Sequence, residues 1–153
     1  MLLGDWLLSK ELVYTRGGVT STFEGLAVFE PIAAHSQQDL LHYIETGNLT
    51  IGNKQFRAQR RLIWDFSCTE VLVYFDESLD RSFDRMLASA KLFHVIRFDS
   101  LGVPLDFEHP CVGDMYRGKL LIDSWKAFRM SWKVTGPVKM GSILMHFKRR
   151  HHA

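Results

Sequence analysis

The residues best suited to chemistry lie in one short string, His109-Pro110-Cys111-Val112-Gly113-Asp114-Met115-Tyr116. The imidazole of His109 is a candidate general base or metal ligand, and the thiol of Cys111 is a candidate nucleophile. Asp114 is a candidate orienting carboxylate, and Tyr116 is a candidate donor. A structural role is the alternative, because Asp114 and Tyr116 are two residues apart on one strand face and can satisfy each other or nearby backbone. Structure, ligand contact and catalysis all remain open.

Motifs that would decide between these alternatives do not occur around this string. His109-x-Cys111 lacks the spaced Cys or His pairs of zinc sites, so we expect no metal. A Cys-His nucleophile would need an oriented histidine and an oxyanion hole, and neither is recognisable. Gly17-Gly18 follows Arg16 as a hairpin turn and not as a phosphate loop. We therefore expect no cofactor, and enzymatic activity remains uncertain.

A second group of polar residues falls on strand faces that should point inward. Arg60 lies between Ala58 and Leu62 on an apolar face, and a buried unpaired charge costs several kcal/mol. We expect Glu45 to be its partner, or the two to form a polar floor beneath an aromatic cavity. The candidate ligand-binding residues are Tyr43, Glu45, Arg60, Trp64, His109, Cys111, Asp114, Tyr116, Trp132 and Lys139.

Alternation of apolar and polar residues with a period of two predicts the elements that hold these side chains. Gly136-Pro137 predicts a hairpin turn, Thr46-Gly47-Asn48 a turn or bulge, and Pro104 with Pro110 a loop. Short helical turns are expected only over residues 9–14 and 36–42. The predicted strands cover residues 22–32, 40–49, 56–66, 70–76, 80–87, 91–98, 115–123, 127–135 and 139–149.

Many short antiparallel strands in one small chain form either a sandwich or a closed barrel. We favour the barrel, since closure removes exposed edges and eight strands leave room for one small ligand. Gly4-x-Trp6 near the start agrees with this choice. In such barrels a first-strand Trp closes one end and a late basic residue, here Arg149, stacks on it.

Size and composition favour a single domain over residues 1–153 in the cytoplasm. Hydrophobic residues make up 46% and charged residues 24%, which is ordinary for a soluble globular protein. A net charge of only +2 does not indicate a basic surface for binding nucleic acid. Two cysteines make no disulfide framework, and we expect neither a signal peptide nor a membrane span.

The chain resembles the family catalogued as domain of unknown function 6314. That resemblance implies a lipocalin-like (calycin) barrel: all-β, closed and antiparallel, with about eight to ten strands and at most short helices. It also implies His109, Cys111, Asp114, Tyr116 and Lys139 as pocket residues. The matching strings are Gly4-x-Trp6, Phe23-x-Gly25-x-Ala27-x-Phe29, Tyr43-x-Glu45-x-Gly47, Arg60 to Trp64, His109-x-Cys111-x-x-Asp114-x-Tyr116 and Trp132-x-Val134-x-Gly136-Pro137-x-Lys139.

Three functions follow as hypotheses. The first is the binding of a small hydrophobic or anionic molecule inside the barrel, by analogy with such folds. The second is a small hydrolytic or isomerising enzyme that uses His109 with Asp114 or Tyr116. The third is a structural or partner-binding domain without a ligand, such as a homodimer.

Overall fold

The computed structural model describes residues 2–15, 18–32, 39–77, 90–137 and 139–151. Within these ranges the chain forms ten β-strands and no helix. None of the described residues forms a helix long and apolar enough to cross a membrane. The strands are β1 (Gly4–Tyr14), β2 (Val19–Pro31), β3 (Leu40–Ile51), β4 (Lys54–Asp65), β5 (Val71–Phe75), β6 (Lys91–Ile96), β7 (Phe107–Cys111), β8 (Asp114–Ser124), β9 (Ala127–Thr135) and β10 (Gly141–Arg149).

All ten strands belong to one antiparallel sheet, in the order β6-β5-β4-β3-β2-β1-β10-β9-β8-β7. The sheet curls until its two outermost strands, β6 and β7, face each other, which makes a nearly closed barrel. This confirms the predicted all-β antiparallel architecture. One end of the barrel, here called the Trp6 end, carries the start of β1 and the β8–β9 turn. The opposite end, called the Tyr14 end, carries the turn between β7 and β8.

The core is a column of side chains that alternate inward along the strands and bury many aromatic rings. At the Trp6 end, the guanidinium carbon of Arg149 lies 4.5 Å from the centre of the Trp6 ring. The two residues are directly opposite in the β1–β10 ladder. The indole Nε1–H of Trp6 donates to the carbonyl of Leu2 at 2.9 Å. The predicted cation–π contact between Trp6 and Arg149 is therefore confirmed.

The predicted helical turn over residues 9–14 is wrong, because this segment is the second half of β1. Trp6 and Leu8 point inward and are buried, and Lys10 follows them on the same face. A lysine in that place breaks the apolar alternation, which is why the pattern did not indicate a strand. The other predicted helical turn covers residues 36–42. Residues 36–38 lie outside the described residues, and over residues 39–42 the prediction is wrong, because β3 begins at Leu40.

The predicted turn or bulge at Thr46-Gly47-Asn48 is also wrong, because β3 continues through it to Ile51 and pairs with β2 and β4 without a register shift. Gly47 lies directly opposite Gly25 of β2, and a Cβ on Gly25 would come within 2.2 Å of the Thr46 carbonyl oxygen. The ring of Phe23 covers Gly47 from inside the barrel. The glycines therefore permit a close approach of two strands, and an aromatic ring fills the space that they leave.

Two further predictions concern the middle of the chain. Pro110 was expected in a loop, but it lies in β7, opposite Met115. A proline is compatible with that position because β7 is an outermost strand, where one lost backbone donor is tolerated. The predicted strand over residues 80–87 lies outside the described residues.

We expect Gly25→Ala to lower the free energy of unfolding by about 1–3 kcal/mol, because the new methyl group would collide with backbone atoms of β3. Chemical denaturation measures this loss. Gly52→Asn is the control, since Gly52 has open space around it and a φ of +60°, which asparagine tolerates. Equal stability of the Gly25→Ala variant and the unmodified protein would contradict the close approach.

Candidate functional site

A β-bulge in β6 shapes the gap between β6 and β7. His94 pairs with Val73 and Leu92 pairs with Tyr74, so Phe93 is an extra residue with no counterpart on β5. An extra residue of this kind re-aims the side chains next to it. Phe93 and His94 consequently both turn toward the inside of the barrel, although they are neighbours in sequence.

Aromatic stacking joins β6 to β7 across this gap, which we call the seam. The imidazole of His94 stacks on Phe107 with ring centres 4.4 Å apart and planes 12° apart. Phe93 stacks on His109 at 5.0 Å. The ring of Trp132 contacts Phe93 at 5.3 Å and meets His94 edge-on at 5.2 Å. His109 and Trp132, both candidates from the sequence, are therefore part of the packing that closes the barrel.

His94 is the most strongly perturbed titratable group of the seam. It is 4% exposed, and its Nδ1 has no hydrogen-bond partner. Burial lowers the pKa of His94 from 6.5 to about 3, and the nearby His109 and Arg60 act in the same direction. The imidazole is therefore neutral in the folded protein near pH 7 and serves as an aromatic packing element.

We expect acid to destabilise the protein through His94. Its pKa is lower in the folded state, so the unfolded chain takes up the proton first, and stability falls as the pH drops from 6.5 toward 3. At pH 5 this loss is about 2 kcal/mol. The His94→Phe variant should lack it, which urea denaturation between pH 5 and 8 measures. His146→Phe, on the exposed face of β10, is the matched control, and an unchanged pH profile in His94→Phe would contradict the assignment.

A polar cluster lies inside the barrel on β1 and β3. Lys10 forms an ion pair with Glu45, and the hydroxyl of Tyr43 donates to the other carboxylate oxygen at 2.6 Å. The Lys10 ammonium also lies 4.9 Å from the centre of the Phe23 ring. Burial lowers the pKa of Lys10, which Glu45 partly offsets, and burial together with Glu45 raises the pKa of Tyr43 well above its ordinary value. The cluster is thus an internally satisfied network.

The predicted ion pair between Arg60 and Glu45 is wrong. The two residues are opposite in the β3–β4 ladder, but the Glu45 carboxylate is taken by Lys10 and Tyr43. The Arg60 guanidinium instead lies over the rings of Phe93, at 5.3 Å, and Phe75, at 5.9 Å. The expectation that Arg60 is a buried charge is also wrong, because the residue is exposed. Sequence reasoning missed Lys10, whose signal was a lysine on the inward face of an otherwise apolar strand.

We expect Glu45→Leu to cost about 3–5 kcal/mol of folding free energy, because it leaves the Lys10 ammonium buried without its carboxylate. The double variant Lys10→Met/Glu45→Leu should recover most of that loss, since apolar side chains of similar volume replace a buried ion pair well. Thermal and urea denaturation measure both. A double variant as unstable as Glu45→Leu alone would contradict the pairing.

The string from His109 to Tyr116 forms the hairpin of β7 and β8. Val112 and Gly113 make its turn with φ angles of 46° and 84°, both in the left-handed region. Tyr116 pairs with His109, and their ring centres are 6.2 Å apart. Cys111 is exposed and is a free cysteine. The structure thus brings His109 and Tyr116 together and leaves Cys111 facing solvent.

Asp114 is buried at the Tyr14 end, where its Oδ1 accepts the backbone N–H of Lys139 at 3.4 Å. It also packs against Gly136, where a Cβ would come within 2.0 Å of that oxygen. Asp114 therefore supports the β9–β10 turn, and among the described residues it makes no hydrogen bond with His109. The expectation that Lys139 faces inward is wrong: Lys139 precedes β10 and is exposed.

The Trp6 end contains a cavity that the sequence analysis did not identify. Its volume is about 200 Å³. Ser124 is the only polar aliphatic side chain in its lining, and no lining residue is charged. Of the candidates from the sequence, only Trp64 belongs to it. The lining residues are Leu2, Trp6, Trp64, Phe66, Val71, Ile96, Phe98, Leu120, Ile122, Ser124, Trp125 and Phe128.

Trp64 occupies a distinct position in this cavity wall. Its ring meets Phe29 edge-on at 5.3 Å and stacks on Phe66 at 6.2 Å. Its Nε1–H is buried and has no hydrogen-bond partner. Most buried polar groups in proteins are paired, so an unpaired indole N–H on a side chain that lines a cavity calls for an explanation.

No sequence motif marks the cavity, since its lining comes from residues dispersed over many strands and from the β8–β9 turn. The signal available was the inward alternation of apolar residues near each strand end. In the described ranges, no group of three or more His, Cys, Asp or Glu side chains is placed to hold a metal ion.

These features define a lipocalin-like β-barrel with an internal apolar cavity. The chain belongs to the family of unknown function DUF6314, whose model matches residues 2–149. A comparison with curated proteins finds no matching sequence.

Two solved structures are similar to this chain over most of its length. The S-type phycobiliprotein lyase CPES from Guillardia theta is similar with a TM-score of 0.61 and 6% identity, over 99% of this chain and 89% of that one. A redesigned β-barrel, mFAP1, bound to DFHBI, has a TM-score of 0.37 and 17% identity, over 97% and 94% of the two chains. The comparison with the lyase supports the fold.

Proposed function

We propose that the protein binds a small, mainly apolar molecule in the cavity at the Trp6 end. The observation that carries this proposal is the cavity of about 200 Å³ with an almost wholly apolar and aromatic lining. Ligand sites in proteins are typically concave and apolar, with few polar groups. This is the hydrophobic form of the binding hypothesis that the sequence suggested.

The volume limits the size of the ligand. Apolar protein cavities of about 150 Å³ bind benzene. A cavity of about 200 Å³ therefore suits a molecule of one aromatic ring with a few further carbon atoms, such as indane or indole.

The cavity reaches the protein surface at the β8–β9 turn. Ile122 and Trp125 both line it, and they are 60% and 61% exposed. The indole of Trp125 is held by a contact with Lys126, whose ammonium lies 4.6 Å from the ring centre. A ligand can therefore enter past this turn without breaking a strand ladder.

The other hypotheses have less support from the geometry. An anionic ligand would need a cation, and neither Lys10 nor Arg60 is part of the cavity lining. Arg149 stacks on Trp6 and donates to the carbonyl of Leu3, and it is not part of the lining either. The enzyme hypothesis would need His109 to act with Asp114 or Tyr116. Asp114 has different neighbours from His109, and the rings of His109 and Tyr116 have their centres 6.2 Å apart, with His109 stacked on Phe93 in the seam. The lyase from Guillardia theta shares the fold at 6% identity, so its activity is not transferred here. Catalysis and dimer formation stay predictions.

We expect indole or 1-indanone to raise the melting temperature. At ten times the dissociation constant, binding adds about 1.4 kcal/mol, which for a chain of this size corresponds to roughly 3–6 °C. Leu120→Trp should abolish the shift by filling the cavity, since Leu120 is part of its lining. Differential scanning fluorimetry measures both.

Leu121→Trp is the matched control, because Leu121 is the next residue on β8, is 46% exposed and does not line the cavity. It should bind as the unmodified protein does. Leu120→Phe replaces Leu120→Trp if the larger side chain prevents folding. The absence of any shift with indole, indane and 1-indanone would refute the proposed function, as would equal binding by the Leu120 and Leu121 variants.

A further inference from the structure

We infer that the ligand of this cavity is neutral and carries a hydrogen-bond acceptor, which takes the Nε1–H of Trp64. This inference rests on the proposed function and adds the chemical class of the ligand. It assigns Trp64 as the residue that selects and orients the ligand among apolar molecules of similar size.

Two tryptophans of the same cavity wall differ in whether their indole N–H groups have hydrogen-bond partners. The Nε1–H of Trp6 is satisfied within the protein by the carbonyl of Leu2, at 2.9 Å. The Nε1–H of Trp64 has no partner, although the residue is only 3% exposed. A buried donor without a hydrogen-bond partner lowers the stability of the folded protein. A ligand acceptor would remove that cost when the complex forms.

Water is the alternative hydrogen-bond partner for the indole N–H of Trp64. A buried water molecule usually needs two to four polar partners. Apart from its tryptophan N–H groups, the cavity lining offers only the hydroxyl of Ser124 as a polar side-chain group. A site of this composition favours an organic molecule, whose apolar part contacts the rings while one oxygen or nitrogen accepts from Trp64.

The acceptor group of the ligand must be uncharged. None of the twelve lining residues carries a charge. An ionised carboxylate in such surroundings would lose its hydration without gaining a cation. A ketone, an ester, an ether or a heteroaromatic nitrogen offers a lone pair at a much smaller desolvation cost.

Two probes of nearly equal shape test the inference, namely 1-indanone, which has a carbonyl acceptor, and indane, which has none. The protein has four tryptophans, so its ¹H–¹⁵N spectrum has four indole signals to assign. We expect 1-indanone to move the Trp64 indole proton downfield, as formation of a hydrogen bond does. Indane should bind without producing that downfield shift.

A thermodynamic cycle gives an independent measurement. Trp64→Phe should weaken the binding of 1-indanone about fivefold more than that of indane, which is the value of one ordinary hydrogen bond. Trp125→Phe is the matched control, since Trp125 also lines the cavity but is 61% exposed. It should change the two affinities by the same factor. Isothermal titration calorimetry provides the six dissociation constants, for two probes with the unmodified protein and each variant.

The outcomes separate this inference from the proposed function. If both probes bind but the Trp64 signal does not respond to 1-indanone, or the two affinities change equally in Trp64→Phe, the inference is overturned and the cavity remains a binding site. If neither probe binds, the proposed function fails and the inference fails with it. The spectrum of the unmodified protein decides the question even if Trp64→Phe does not fold.

Discussion

Closure of the barrel depends on the packing of rings across the seam between β6 and β7. Nine of the junctions between strands are hydrogen-bonded ladders, as the order of the sheet shows. The tenth is made by His94 on Phe107 and Phe93 on His109. The bulge at Phe93 makes this possible, because it directs two adjacent side chains inward. Without this junction the sheet would stay open and would enclose no cavity.

The two ends of the enclosed space have opposite chemistry. Toward the Tyr14 end, the charge of Lys10 is matched by Glu45 and Tyr43, and Arg60 rests on aromatic rings. Lys10, Glu45 and Tyr43 satisfy one another, so their burial is explained without a ligand, and Arg60 is exposed. Among the residues that line the cavity at the Trp6 end, Trp64 has an indole N–H without a partner, and the lining carries no charge. The buried Nδ1 of His94 also lacks a partner, but His94 belongs to the packing of the seam. The polar cluster is therefore structural, and the cavity is the part of the interior to which we assign ligand binding.

Alternation in the sequence was sufficient to predict the fold class, and the Gly4-x-Trp6 string, compared with other barrels of this kind, predicted the contact between Trp6 and Arg149. It failed where an inward position holds a residue that is not apolar. Lys10 obscured the second half of β1, and Gly47 suggested a turn within β3. In both cases the cause is a partner distant in sequence, either the Glu45 carboxylate or the backbone of Gly25.

The candidate site was harder to predict than the fold. Polar residues attract attention in a sequence, and of the ten candidates only Trp64 lies in the cavity wall. A cavity is a volume left between inward side chains, so its position depends on the register of all strands together. Periodicity identifies which residues point inward, but it does not indicate where they fail to fill the space between them.

Pro110 affects how readily one molecule can associate with another through the edge of its sheet. β7 is the last strand of the sheet, and an outer strand is a template on which a strand of another molecule can grow. Pro110 offers no amide hydrogen, and Glu108, two residues earlier on β7, carries a charge that pairs with Arg117. Intermolecular strand addition along β7 is thereby discouraged. The residue that looks out of place in a β-strand therefore disfavours growth of the sheet from one molecule into the next.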